Sequence, residues 1–233
     1  MSQIALVTGA SSGIGQAIAQ RLLEHGYEVY GIGRDFSACP LREHPLFHET
    51  SLDLLDTPAL LAFLERLPKD NLTLLVNSAG CAWYGPHETL SVEAIQTMTR
   101  VNLETPILLC GKLLRPLKQN HGTIINIASV TALETSTHGA AYGALKAGLV
   151  HFSRTLFEEH RKSGLKVTVI LPDMTDTALY RNADFGPDRS EGAFLLPEDT
   201  ADAVMSVLSA RKGTVLSEIV LRPQYRRISR NRQ

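Results

Sequence analysis

The chain lacks the features that mark several large classes of protein. It has only 3 cysteines in 233 residues, Cys39, Cys81 and Cys110. Their spacings match neither a paired metal motif nor a disulfide framework, and so low and odd a count fits a reducing compartment. No apolar run approaches the ~18 residues that a bilayer-spanning helix needs. The first residues pass from Met1-Ser2-Gln3 straight into a β-like run, with no basic segment and no cleavable apolar stretch. A cytoplasmic protein with no membrane partner is therefore expected. Charge of one sign is missing too. The formal net charge is −1, unlike the basic balance of a nucleic-acid binder. The local exception is the tail, where Arg222, Arg226, Arg227, Arg230 and Arg232 crowd together. In so neutral a chain this reads as a solvated or subunit-contacting tail. The 8 histidines show no metal-ligand spacing, so no catalytic metal is expected.

What is present is apolar sequence in a regular alternation. Apolar residues make up 44% of the chain, enough for a continuous core, and the length suits one domain over residues 1–233. Short buried-strand runs lie at Ile4–Val7, Val29–Gly33, Leu46–Leu52, Leu72–Val76, Thr123–Ile127, Lys166–Leu171 and Glu218–Leu221. Helical periods lie between them at 14–23, from Thr57-Pro58 to about Leu67, 91–118, 141–162 and 197–210. Thr57 is the expected cap of the second helix, with Pro58 in its first turn. Strands apolar on both faces belong in a parallel sheet covered by helices. The expected fold is α/β, a single-domain Rossmann-type doubly wound parallel sheet. The least periodic segment, at about 173–196, is the expected substrate-covering loop.

The chemistry-bearing residues fall at strand ends. The first strand leads into Thr8-Gly9-Ala10-Ser11-Ser12-Gly13-Ile14-Gly15. Glycines there let backbone N–H groups approach a phosphate, and the following helix points its positive end at the same place. Tyr142 and Lys146 lie four apart in a helical stretch and so share one face. An ammonium beside the phenol is expected to lower its pKa from ~10 and fit it for proton transfer. Ser129 follows a strand, where parallel sheets bind ligands.

This ordered set resembles the short-chain dehydrogenase/reductase family over nearly the whole chain. Thr8-Gly-x-x-x-Gly-x-Gly15 resembles its glycine motif, with Ser11, Ser12 and Ile14 among the implied cofactor contacts. Asp53, with Leu54 beside it, looks like its adenine-contacting aspartate. Asn77-Ser78-Ala79-Gly80 looks like its Asn-Asn-Ala-Gly strand end. Asn102, Ser129, Tyr142 and Lys146 look like its catalytic tetrad. Pro172 to Thr177 looks like its cofactor clamp, with Thr175 and Thr177 meeting the carboxamide and Asp173 standing in place of a glycine. The resemblance implies a nicotinamide cofactor, a small-molecule carbonyl or alcohol substrate, and a homodimer or homotetramer packed through 91–118 and 141–162. Gly33 occupies the position of the NAD-selective acid and Arg34 follows it, which favours NADP(H) over NAD(H); the alternative leaves Arg34 on the surface and gives Asp35 the ribose. Two further readings stay open. One is an NADP-linked 3-hydroxy acid dehydrogenase, suggested by the ending Glu218–Pro223. The other is a non-catalytic dinucleotide sensor or scaffold, suggested by Asp173. Trp83 and Tyr84 read as pocket wall or core, His138 as a surface or turn residue, and Cys81 as unactivated.

Overall fold

Seven runs lie side by side in one sheet; the five central ones bury most of their residues, while the two edge runs, Phe47–Ser51 and Glu218–Leu221, stay partly exposed. The computed structural model describes residues 2–230; Arg232 of the tail lies outside the described residues, as does Met1. The elements run β1 (Ile4–Thr8), α1 (Gly13–Glu24), β2 (Glu28–Gly33), β3 (Phe47–Ser51), α2 (Thr57–Arg66), β4 (Leu72–Asn77), α3 (Val92–Thr99) and α4 (Thr105–Gln119). They continue with β5 (Thr123–Ile127), α5 (Ala140–His160), β6 (Lys166–Pro172), β7 (Phe185–Pro187), α6 (Pro197–Leu208), β8 (Glu218–Leu221) and β9 (Ile228–Arg230). The sheet has the order β3-β2-β1-β4-β5-β6-β8, with every pairing parallel. This is the doubly wound Rossmann-type arrangement. Strand order reverses between β1 and β4, which opens a crevice at the carboxyl edge.

The alternation of β1 sorts its side chains into two cores. Ala5 and Val7 pack with Ile18 and Leu22 of α1 and Val204 and Val207 of α6. Ile4 and Leu6 pack on the other face with Leu60 and Phe63 of α2, Leu109 and Leu113 of α4, and Leu156 of α5. No helix among the described residues is long and apolar enough to cross a membrane.

Three local expectations are corrected. The cap of α2 is Asp56, whose carboxylate accepts the Ala59 N–H at 2.9 Å; Thr57 is the first helical residue and its backbone has already turned. The stretch 91–118 is two helices joined by one π-helical segment, Arg100–Glu104, which apolar periodicity cannot distinguish from continuous helix. The segment after β6 carries structure of its own: Ala178–Asn182 is a 3₁₀ turn, and β7 pairs antiparallel with β9 from the tail. The tail is thus folded against this chain's own loop.

Candidate active site

The carboxyl ends of β1, β2, β4, β5 and β6 surround one cavity of about 1020 Å³. The glycine turn makes its floor. Gly9 has φ +71°, a left-handed conformation that glycine adopts without strain, and an added Cβ would lie 2.9 Å from Ala79 Cα. Thr8 fixes this approach, because its Oγ1 accepts the N–H groups of both Ser78 and Ala79 at 3.1 Å. Gly15 lets α1 press directly on Gly9 O, where a Cβ would collide. α1 then starts at the cavity with no side-chain cap and no acid in its first turn. Unclaimed N–H groups and a positive helix end suit an anion such as a pyrophosphate. The buried Ser78 Oγ, on the same wall, has no partner. These features fit a dinucleotide.

The structure gathers most of the residues singled out by sequence. Gly9, Ser11, Ser12, Gly13, Ile14 and Gly15 line the cavity, as do Arg34, Asp53 and Leu54 towards the β2–β3 side. Ala79, Gly80, Pro172, Thr175 and Thr177 line it from the β4 and β6 ends. Thr177 reaches across to the glycine turn, its Cγ2 3.2 Å from where a Cβ on Gly13 would sit, and its hydroxyl accepts the Leu179 N–H. Asn77 does not line the cavity. Its Nδ2 donates to Asn126 Oδ1 at 2.7 Å, and Asn126 donates in turn to Ser153 Oγ at 2.8 Å. This buried chain ties β4, β5 and α5 together below the site. Asn126 and Ser153 were not singled out by sequence; a polar residue inside the apolar run Thr123–Ile127 was the available signal.

At the β2 end, Arg34 borders the cavity, whereas Asp35 accepts the N–H of Ser37 at 2.8 Å and is held in its own turn. A Cβ on Gly33 would fall 2.7 Å from Ser11 Oγ, so an acidic side chain at 33 would displace Ser11. Asp53 also lines the cavity and accepts the Leu55 N–H.

Tyr142 and Lys146 stand one turn apart on α5, both buried and both on the cavity wall. Lys146 Nζ lies 5.6 Å from the Tyr142 ring and donates to Ile127 O at 2.9 Å. Burial depresses the Lys146 ammonium to about 8. Burial also pushes the Tyr142 phenol above its ordinary value, with Tyr180 adding to the rise, while the hydrogen bond from Ser129 pulls the other way. The shift runs opposite to the expected lowering, because desolvation of the phenol dominates it. Ser129 caps the turn 130–132, accepting the Thr131 N–H at 3.2 Å, and faces Tyr142. Asn102 sits behind the wall in the π segment, fully buried. Its Nδ2 donates to Cys81 O at 2.8 Å and Met98 O at 2.9 Å, and its Oδ1 accepts the Cys81 N–H. A Cβ on Gly80 would meet Asn102 Oδ1 at 3.2 Å and Lys146 Nζ at 3.8 Å, so the bare glycine leaves room between them.

Around the phenol the wall is aromatic. The Tyr84 ring lies 5.7 Å from Tyr142, 6.2 Å from Tyr180 and 5.0 Å from Phe185. Asp173 turns back to accept the Met174 N–H and sits 3.6 Å from Arg222. Burial raises the Cys81 thiol, with nearby cations opposing the shift, so it is not an activated nucleophile. His138 lines the cavity with φ +65°.

The short chain dehydrogenase family model matches residues 3–186. An uncharacterised oxidoreductase of Staphylococcus epidermidis is 33% identical over 236 residues, covering 95% of this chain and 97% of its own. A metagenomic short-chain oxidoreductase solved in complex with NADP is 30% identical at TM-score 0.80, covering 97% of this chain and 99% of that one. The closed form of serine dehydrogenase with NADP⁺ is 26% identical at TM-score 0.84, covering 99% of this chain and 100% of that one. With its glycine turn, sheet order and gathered side chains, the chain belongs to the short-chain dehydrogenase/reductase family of oxidoreductases.

Proposed function

We propose that this protein is an NADP(H)-dependent oxidoreductase that interconverts a carbonyl compound and a secondary alcohol, with Tyr142 as general acid and base. The observation that carries the reading is the shared cavity: a buried phenol, its serine and its lysine face the space into which the glycine turn and uncapped α1 also open. When bound, the nicotinamide supplies or accepts the hydride. The rest is the work of side chains. Ser129 Oγ and the Tyr142 hydroxyl hold the substrate oxygen. Burial keeps Tyr142 protonated through physiological pH, so it can donate to the oxygen as charge develops there. Lys146, held on Ile127 O, keeps a positive charge one turn below the phenol and favours its return to the anionic state in the reverse direction. Asn102 acts on Lys146 from behind, through the narrow gap at Gly80.

Arg34 on the cavity wall, the closed space at Gly33 and the outward turn of Asp35 support NADP(H) over NAD(H). The NADP-bound relatives support the same choice. Asp173 sits 3.6 Å from Arg222, which offsets its charge, so it does not favour the sensor reading. Three buried free cysteines suit a cytoplasmic setting. Exposed Val92 and Ile107 on α3 and α4 support a homodimer or homotetramer through that face, which sedimentation velocity would test.

The test is NADPH consumption against a panel of aldehydes and ketones. Tyr142→Phe is expected to lower kcat at least 10²-fold, the scale of one positioned acid–base group, with NADPH affinity kept within a fewfold. Undiminished turnover in that variant would sink the reading.

A further inference from the structure

The C-terminal segment is built into the wall of the cavity. β9 pairs with β7 in the register Phe185↔Arg230, Gly186↔Ser229 and Pro187↔Ile228. The Tyr225 N–H donates to Gly192 O at 2.8 Å, and Arg227 donates to Ser190 Oγ at 3.2 Å. Arg227 and Arg230 line the cavity from this segment, and Arg181 lines it from the 3₁₀ turn opposite.

These three guanidiniums differ from their neighbours in what holds them. Arg222 and Arg226 share Glu134, and Arg189 is paired with Asp176. Arg227 instead bonds a hydroxyl and lies over the Tyr225 ring, 5.1 Å away. Arg181 donates to a carbonyl, Ala178 O, at 3.5 Å. Glu134, Asp173 and Asp176 are thus already paired, and the other acids lining the cavity on that side, Asp184 and Glu198, are outnumbered by Arg181, Arg227 and Arg230; Asp188, outside the lining, feels the charge of Arg227 without an ion pair to it. Between the arginine rim and Tyr142 lie the rings of Tyr84, Tyr180 and Phe185. Apolar wall near the reacting oxygen and guanidinium in no carboxylate ion pair further out define a substrate with an apolar body and an anionic end.

We propose that Arg227 and Arg230 of the C-terminal segment, with Arg181, select carbonyl substrates that carry a carboxylate at the end remote from the carbonyl. This rests on the oxidoreductase reading of the same cavity. Guanidinium forks match a carboxylate in two hydrogen bonds, whereas a neutral amide of the same shape leaves the charge unmatched.

The probes are 4-acetylbenzoate and its neutral isostere 4-acetylbenzamide. With NADPH the expected kcat/KM ratio favours the carboxylate by at least tenfold, and Arg227→Gln/Arg230→Gln lowers that ratio at least fivefold. Reading a ratio cancels any general loss of activity. With NADP⁺ neither ketone can react, so calorimetry reads binding alone: the carboxylate is expected to bind at least tenfold more tightly than the amide, and the double variant to lose that preference. Arg227→Lys, which keeps the charge, is expected to retain part of it. No turnover of either ketone with the binding preference intact would count against the oxidoreductase reading and not against the arginine rim. Equal binding of the two probes, or a preference that survives the double variant, overturns the rim.

Discussion

A lysine ammonium shut away from water works against folding, and Lys146 shows how far a site residue can oppose the fold that holds it. Its value falls from 10.5 to about 8 through burial, a shift worth about 3 kcal/mol. The bond to Ile127 O returns about 1–2 kcal/mol of this. The folded value is the lower one, so the full cost applies below pH 8. Between 8 and 10.5 the unfolded chain binds more protons than the folded one, and raising the pH therefore stabilises the wild type. Lys146→Met, similar in length and uncharged, is expected to lose activity yet to be about 1–2 kcal/mol more stable at pH 7. The gain should shrink as the pH passes from 8 towards 10.5. Urea midpoints at pH 7 and 9.5, without cofactor, would check this; a variant less stable at pH 7 would show that the hydrogen bond outweighs desolvation. The types and order of Tyr142, Lys146 and Ser129 are readable in the chain. The sign of the phenol's shift is not, because burial in three dimensions decides it and spacing along a helix does not.

At the scale of elements, the passage between α3 and α4 is the most informative. Asn102 lies in the one π-helical segment among the described residues, Arg100–Glu104, at 0% exposure. Its amide satisfies Cys81 N–H, Cys81 O and Met98 O together. The wider turn and the side chain are one device, since π segments recur where a helix must aim a functional residue. Asn102→Ala would strand those three buried groups and is expected to cost roughly 2–4 kcal/mol of stability. Denaturation at a pH where Lys146 is neutral would separate this cost from any effect on the ammonium, and a loss under 1 kcal/mol would mean that water replaces the amide. Strands were the most legible elements: Thr123–Ile127 and Glu218–Leu221 keep their sequence-read bounds, because continuous apolar runs bounded by polar turns leave little choice. The π segment was invisible for a physical reason. One extra residue in a turn shifts the apolar face by less than the spread of a real helix pattern. The α2 cap was misplaced by one residue because Asp56 and Thr57 are both good caps and only the backbone turn separates them.

For the whole molecule, the cavity has two kinds of wall. One is the carboxyl edge of the sheet, set by a core that alternation along the chain specifies. The other is the segment after β6 together with the tail, which share no apolar periodicity and meet only in the folded chain. β9 is short and fully exposed, and a three-residue antiparallel pair is weak by itself. Such a cover opens at a free energy well below that of global unfolding. A chain ending at Gln224 would remove the Tyr225 N–H bond to Gly192 O, the Arg226 contact with Glu134 and all of β9. It would leave the seven-stranded sheet and both cores intact, with Arg222 still on Glu134. Amide exchange over residues 184–192 is expected to quicken at least tenfold in the shortened chain, with β1, β4 and β5 unchanged and the thermal midpoint moved by no more than about 3 °C, a ΔΔG near 1 kcal/mol at this length. If exchange over 184–192 were the same in both chains, β7 would be held by the sheet side of the cavity and the tail would lie on it without restraining it. If β1 and β4 also quickened, cover and sheet would open as one unit, and the cavity could not admit a substrate without loosening the glycine turn beneath it.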